Sequence, residues 1–443
     1  MNQATTQYHS MPDTPLFREA TNVVNVLSSE GHTTLFAGGA VRDLLLQRPV
    51  HDIDIATSAS PDELSRLFSS THEVGKSFGV SLVNSGEHTF EVAQFRKEGP
   101  YSDGRHPDNV CPTSPEQDAA RRDFTINGLF YDPTTETIID YVDGIRDLDK
   151  RHLRCIGNPS DRFMEDHLRM LRAIRFAATL NFEMDNATSA AIKSHSNQIT
   201  RLSPERITDE FCRILTETNQ TGDAIRALHE HELLSLIIPH APYFAHQLLE
   251  HPSRTRLATS IDLLNALPCK GNLALALAGF IHSSHIDLTH DFEEAFSLTA
   301  IEAHKLFSRL KLPKRVTQAV TALLEVTNWV LLSPHMDRAD QRRTLGHPAC
   351  AEAMLIHAQL ETIYDIAPTG RLQLESLAEE LGDEPYLPSA WITGQDLLQA
   401  GFKQGPGFSK WLQYAYNNQL NETVRNKKQL LRKIKKELKD QPD

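Results

Sequence analysis

Long apolar runs are missing from these 443 residues: no stretch reaches the roughly eighteen apolar residues that a bilayer-spanning helix requires. That excludes a helical membrane anchor. The first twenty residues, MNQATTQYHSMPDTPLFREA, lack both the basic start and the apolar core of a secretory signal, so a cytoplasmic protein is expected. Cysteine is scarce, with five residues (Cys111, Cys155, Cys212, Cys269 and Cys350) and no CxxC pair, which points away from a disulfide framework or a zinc site and toward reduced thiols. Positive charge is short as well: the net charge of −13 excludes a protein coated in basic surface for nonspecific nucleic-acid binding. No period of about 20 to 50 residues recurs, which excludes a solenoid.

What remains is an ordinary globular composition, 40% hydrophobic and 23% charged, in a chain long enough for two to four structural units. Basic residues gather in 425–439 (RNKKQLLRKIKKELK), which reads either as a solvated terminal helix or as a local contact to an RNA backbone. Residues 33–140 alternate short β-branched or apolar runs (TTLF, DIDIAT, VSLV, FEVAQF, TIIDYV) with turns, around one helical stretch, PDELSRLFSS. This predicts a small mixed α/β domain. From Asp161 onward the apolar period becomes 3.6 and stays there, predicting helices throughout, with breaks at Leu312–Pro313, His347–Pro348 and 382–388. Segment 97–117 (KEGPYSDGRHPDNVCPTSPEQ) is longer than connections within compact domains usually are.

Several short segments carry chemistry. In LFAGGAVRDLLL, Gly38 and Gly39 stand between a β-like run and a helical one, where a backbone without side chains can approach a phosphate. In HDIDIAT, Asp52 and Asp54 are two apart in a β-favouring run, so both carboxylates face one way while Ile53 and Ile55 turn to the core. An isolated Asp-x-Asp is more often a surface strand. Placed a dozen residues after the glycines and Arg42, it reads as a site for Mg²⁺, because adjacent carboxylates repel unless a cation neutralises them. Glu91 in FEVAQFR offers a third acid. In RRDFTINGLFYD, Arg121 and Arg122 suit triphosphate oxygens, and Asp123 or Asn127 suits a ribose hydroxyl.

Segment 163–180 (FMEDHLRMLRAIRFAATL) is expected to form one helix carrying Glu165, Asp166, Arg169, Arg172 and Arg175, with Leu168, Leu171 and Ile174 as its buried stripe. Asp166, Arg169 and Arg172 step by three and climb one side. A carboxylate that only accepts, beside a guanidinium that only donates, matches a base edge bearing an exocyclic amine next to a ring acceptor. Adenine and cytosine present that edge; guanine and uracil do not. Read alone, the Asp–Arg spacing is a surface ion pair.

In this order the segments resemble those of the class II tRNA nucleotidyltransferases, which include CCA-adding enzymes and bacterial poly(A) polymerases. The matching motifs run from about Leu35 to Leu215, and WITGQDLLQAGFKQGPGFSKWLQYA resembles the tail of tRNA-acting members. The resemblance implies a polymerase-β-like α/β head (1–157) followed by an all-α neck (158–235), body (236–345) and tail (346–443). It implies metal binding and catalysis at Asp52 and Asp54, with Mg²⁺ as cofactor, beside the third acid that the FEVAQFR run offers in Glu91. Triphosphate contact would fall to Gly39 and Arg42, nucleotide contact to Arg122, ribose contact to Asp123, base reading to Asp166 and Arg169, and phosphate contact to Arg172 and Arg175. Segment 97–117 stands where the family has a flexible loop that helps switch the pocket from CTP to ATP.

The implied activity is addition of CCA to the 3′ end of tRNA from CTP and ATP, with no membrane or DNA partner. Addition of the terminal A alone and poly(A) synthesis share the same motifs and remain alternatives, and a catalytically dead RNA-binding protein has no use for the adjacent acids. A phosphohydrolase of the HD type is excluded by context, since His282 is followed by Ser283 and His290–Asp291 stands alone. The chain also departs from the family pattern: Gln47 and Asp143 replace glycines, and His167 stands where proline is usual.

Overall fold

The computed structural model describes residues 4–69, 71–73, 80–99, 109–238, 255–285, 303–402, 405 and 407–440. The chain divides into two compact units, Met1–Ala241 and Pro242–Asp443.

The first unit is built on an eight-stranded mixed sheet. Its strands are β1 (Thr5–Tyr8), β2 (Thr34–Ala37), β3 (Asp54–Thr57), β4 (Thr71–Glu73), β5 (Val80–Ser85), β6 (His88–Gln94), β9 (Leu129–Asp132) and β10 (Thr137–Asp140). Between β6 and β9 lie β7 (Arg96–Glu98) and β8 (Val110–Pro112), which pair only with each other. The sheet order is β1-β10-β9-β2-β3-β6-β5-β4, parallel at β3–β6 and antiparallel at its other pairs. Central β2 is buried along its whole length, with Leu35, Phe36 and Ala37 apolar and the Thr34 hydroxyl paired with that of Thr57 at 2.9 Å.

Helix α1 (Pro15–Ser29) starts on Thr14, whose side chain accepts from the Phe17 N–H, and buries Phe17, Ala20, Val23, Val24 and Leu27 at helical spacing. Each Val, Leu or Phe side chain so covered is worth about 2 kcal/mol, and Phe17 meets Phe36 of β2 edge to face. That packing holds the strand whose end carries the glycine turn. Helix α2 (Gly39–Leu45) leaves that turn, and α3 (Pro61–Leu67) follows β3, started by a capping box between Ser60 and Glu63.

The two departures from glycine fall on turns with the chirality glycine favours: Gln47 has φ 53° and Asp143 φ 63°, both left-handed. A side chain in that conformation costs roughly 1–2 kcal/mol for each such residue.

The 97–117 segment is not loop throughout. Its ends form the β7–β8 ladder, and helix α4 (Pro115–Ala120) follows, capped by Ser114. Residues 100–108 lie outside the described set. Past β10, Asp143 leads into the short helix α5 (Gly144–Asp149).

The expected single helix over 163–180 is two helices, α6 (Pro159–Glu165) and α7 (Leu168–Leu180), separated by Asp166 in an extended conformation (φ −139°, ψ 108°). The apolar period runs through the break, so the pattern hid it. The cause is local: the Asp166 carboxylate accepts from the Leu168 N–H at 3.0 Å, an alternative to the helical ladder. Buried His167, where proline is usual, has its Nδ1 2.7 Å from the Phe163 carbonyl and fills the corner. Beyond α7, helix α8 (Asn186–His195) packs back on α6. Helix α7 itself packs against α9 (Pro204–Glu217), which buries Ile207, Phe211, Ile214 and Leu215. Leu171 and Ile174 are buried as expected, while Leu168 at the helix start is only half-buried.

The second unit is helical throughout its described residues, with the major helices Arg256–Ala266, Leu273–His285, Lys314–Leu332 and Cys350–Tyr364. Its C-terminal part closes around Ile392, Leu397, Phe402, Ala415, Leu430 and Ile434. Leu430 and Ile434 belong to the basic terminal helix Lys427–Asp440, which is therefore anchored by its apolar side and exposes Lys428, Arg432, Lys435 and Lys436. No described helix is long and apolar enough to cross a membrane, and none of the five cysteines is in a disulfide.

Candidate active site

The site grows from the ends of β2, β3 and β6. Ile53 and Ile55 are buried while Asp52 and Asp54 stay exposed, so the alternation read from HDIDIAT holds even though the regular strand begins only at Asp54. The parallel register Ile55↔Val92 makes Glu91 the cross-strand neighbour of Asp54. Although Asp54 reaches solvent at the strand end, the protein packed around its carboxyl, then repulsion from Glu91 and Asp52, pushes it up from 3.8 to about 6, against the pull of Arg122. Three acids and one arginine thus share one electrostatic neighbourhood.

No three acidic, histidine or cysteine side chains among the described residues converge as a ready metal cage. The donor set nonetheless fits Mg²⁺, which binds through one or two carboxylates and leaves its remaining positions to water and phosphate. An acid that holds its proton above the usual range, beside two others, is one that a cation would relieve.

The chain leaving β2 turns at Gly38 (φ 71°) into α2. A Cβ on Gly38 would stand 3.0 Å from Nη1 of Arg122, so the missing side chain lets that guanidinium lie against the turn. Arg42 points inward: Nη1 donates to Asn127 Oδ1 at 2.7 Å, Nε and Nη2 grip Asp43, and the guanidinium lies 5.2 Å from the Phe176 ring centre. Arg172 and Arg175 stack on the same ring at 5.1 and 4.3 Å, so Phe176 gathers arginines from the glycine segment and from α7.

Asp123 accepts from Arg172 Nε and Nη2 (2.9 and 2.7 Å), from Asn127 Nδ2 (3.1 Å) and from the Phe124 N–H (2.8 Å). Full burial raises its pKa, but the Arg172 charge and these bonds outweigh that and hold it at about 2. The residue is ionised and already engaged by protein; a ribose hydroxyl would have to share it. Arg121 is engaged too, with Asp118, Glu98 and the Arg96 carbonyl.

The break between α6 and α7 separates the two base-reading candidates. Asp166 receives Arg206 Nη2 at 3.1 and 2.9 Å, while Arg169 Nη1 donates to Glu165 at 2.6 Å and Nη2 to the Arg121 carbonyl at 3.3 Å. They do not climb one helical side, as the spacing suggested; they flank a corner, each met by a residue of opposite charge. Beside them a cavity of about 280 Å³ is lined by Lys97, Glu98, Gln117, Ala120, Arg121, Arg162 and Glu165.

Arg175, expected near phosphate, meets acids of α9. It is buried, with Nε on Glu210 at 2.6 Å and Nη1 on Glu217 at 2.9 Å, and so ties α7 to α9. Local spacing carries no information about partners 35 and 42 positions away. Arg175→Ala strands buried Glu210 without its guanidinium and should cost roughly 3–5 kcal/mol of stability in urea unfolding. A folded, equally stable variant with raised KM for every nucleotide would return Arg175 to the phosphate.

Overlooked in the sequence are Arg206, Asp118 and the part that Glu165 plays in holding Arg169. The i to i+4 spacing of Glu165 to Arg169, and of Asp118 to Arg122, was the available signal.

A β2-turn-α2 phosphate approach, a carboxylate pair at the head of β3 and an arginine-rich helix corner define a nucleotidyltransferase with a poly(A) polymerase type of head. Family models agree along the chain: "Poly A polymerase head domain" at residues 34–154, "Probable RNA and SrmB- binding site of polymerase A" at 181–244, and "tRNA nucleotidyltransferase domain 2 putative" at 292–434. The chain is 31% identical over 414 residues to the CCA-adding enzyme of Lacticaseibacillus paracasei, covering 93% of this chain and 92% of that one. It is 45% identical over 207 residues to the CCA-adding enzyme of Enterococcus faecalis, an alignment spanning 46% of this chain and about half (51%) of that relative. Its fold superposes on the Bacillus stearothermophilus CCA-adding enzyme in complex with CTP with a TM-score of 0.74 and 25% identity, over 97% of this chain and 100% of the other. The Thermotoga maritima CCA-adding enzyme complexed with tRNA shares the fold at TM-score 0.67 and 18% identity, over 96% of each chain. The chain belongs to the CCA-adding enzyme family of nucleotidyltransferases.

Proposed function

We propose that this protein adds CCA to the 3′ end of tRNA from CTP and ATP, without a nucleic-acid template, releasing pyrophosphate, and that it does so in the cytoplasm. The observation that carries this reading is the near full-length match to a CCA-adding enzyme, together with acids, glycine turn and arginine corner in the first unit. The division into head (1–157), neck (158–235), body (236–345) and tail (346–443) belongs to the same reading, supported by a head match ending at residue 154.

Asp52 and Asp54 would hold Mg²⁺, with Glu91 beside them. Bound there, the ion supplies activation of the attacking 3′ hydroxyl and neutralisation of the departing phosphates. The chain's own part is positional: Arg122, laid against the Gly38 turn, and Arg42 behind it present positive charge to a triphosphate. Asp166 and Arg169 offer an acceptor and a donor for the amine and ring nitrogen of cytosine or adenine.

The test is incorporation of labelled CTP or ATP by purified protein on tRNA primers ending before CCA, after C and after CC. Two additions of C and one of A support the reading. A on the last primer alone indicates an A-adding enzyme, and long A tracts indicate a poly(A) polymerase.

The terminal helix supplies a second measurement. Glutamine at Lys428, Arg432, Lys435 and Lys436 keeps Leu430 and Ile434 in the core while removing four exposed charges. The slope of log affinity for tRNA against log salt should flatten by about 0.7–0.9 for each phosphate that the helix no longer neutralises. An unchanged slope identifies a solvated helix face.

A further inference from the structure

Asp118, on α4, is 1% exposed yet carries a charge that the proposed reaction does not use. A carboxylate is costly to bury unless paired and fully hydrogen-bonded, and this one is both. Oδ2 accepts from Arg122 Nε and Nη2 at 3.2 and 3.0 Å; Oδ1 accepts from Arg121 Nε and Nη2 at 2.9 and 2.7 Å and from the Arg96 N–H at 3.1 Å. A single carboxylate therefore holds two consecutive arginines and the first residue of β7.

The two arginines lead in different directions. Gripped along its Nε–Nη2 edge, the Arg122 guanidinium cannot rotate, and its Nη1 end is left beside the Gly38 turn and the Asn127 carbonyl. Its charge also reaches Asp54. Arg121 donates to Glu98 on β7 at 2.9 Å, and its carbonyl receives Arg169 from α7. An arginine on a mobile stem loses rotamer freedom when it meets a phosphate; one already locked by a buried acid does not, so the lock tightens binding without touching the ligand.

Resting on the functional reading above, we propose that Asp118 is a positioning residue: it sets Arg122 toward the triphosphate and ties that arginine, through Arg121, to strand β7 and to Arg169. It touches no substrate atom. Its effect falls on nucleotide binding, for CTP and ATP alike, rather than on the chemical step.

Asp118→Asn keeps the shape and one acceptor but removes the charge that orients Arg122. KM for both CTP and ATP should rise about tenfold, the scale of one charge-assisted hydrogen bond, with kcat within about threefold of the parent. In an Arg122→Lys background, where the guanidinium edge is already absent, the same substitution should raise KM no further, because residues acting through one another are not additive. A role in packing alone predicts a lower thermal midpoint and equal fractional effects in both backgrounds. Should Asp118→Asn not fold, Asp118→Glu retains the charge among the arginines while displacing it by one methylene, and carries the same two comparisons. Unchanged KM in the folded variant, or equal increases with and without the Arg122 guanidinium, overturns the proposal. A parent that incorporates neither nucleotide on any tRNA primer fails the functional reading instead; the Asp118 assignment is then judged by ATP affinity in equilibrium dialysis, where the same weakening and the same non-additivity are required.

Discussion

Asparagine in place of Asp54 should abolish incorporation of both CTP and ATP. Charge stabilisation by a bound metal is worth several kcal/mol, and each 1.36 kcal/mol is tenfold, so a loss on the order of 10³ is expected. Binding of tRNA should survive, since a carboxylate beside two other acids repels phosphate. The electrostatics supply a second readout independent of turnover. Asp54 titrates at about 6 in the folded protein against 3.8 ordinarily, so folding favours its protonated form. The associated stability is present below the ordinary value and is lost as pH rises through about 6. At neutral pH the metal-free parent therefore carries an unfavourable charge that asparagine removes. The thermal midpoint of the metal-free variant should exceed that of the parent at pH about 7.5 and match it at pH about 4. Added Mg²⁺ takes over the proton's role, so it should raise the parent midpoint more at pH about 7.5 than at about 5, and leave the variant unmoved. Incorporation near the parent rate, or an undiminished Mg²⁺ response in the variant, would remove Asp54 from the metal site.

The parts of this site that were legible in the sequence are those set by nearest neighbours. Alternation in HDIDIAT placed Ile53 and Ile55 inside and the two aspartates outside, because strand periodicity needs only adjacent residues. The glycine turn was legible for the same reason, while the left-handed backbone at Gln47 and Asp143 shows only in the structure. What could not be read depends on partners far along the chain. Arg175 looked like its neighbours Arg169 and Arg172 until Glu210 and Glu217 came to meet it across α9. The break at Asp166 is invisible to a period that continues across it; it exists because one carboxylate prefers the Leu168 amide and Arg206 to a helical turn. Asp118 lay in plain view four residues before Arg122, but the spacing says only that they can meet, and burial at 1% decides that they must.

Base choice is where the corner between α6 and α7 should show its function. If Asp166 accepts from the exocyclic amine and Arg169 donates to the ring acceptor, then alanine at either position leaves the other facing a base edge it cannot satisfy. Preference for CTP and ATP over UTP and GTP should collapse in Asp166→Ala and in Arg169→Ala. A site built to hydrogen-bond a substrate group rejects analogues lacking it by factors on the order of 10⁴, so up to that much discrimination is at stake. The structure adds a constraint that spacing alone did not supply. Asp166 already accepts from Leu168 and Arg206, yet a carboxylate has about four acceptor positions, and among the described residues Oδ2 is met by Arg206 alone. It can take an amine without releasing Arg206. Arg169 is held by Glu165 and the Arg121 carbonyl, so its guanidinium is oriented before any base arrives. Were these only structural ion pairs, their loss would lower stability and leave selectivity intact. Steady-state kcat/KM for all four nucleotides on one tRNA primer decides between the two. A preference for CTP and ATP that persists unchanged in both variants means that the base is read elsewhere.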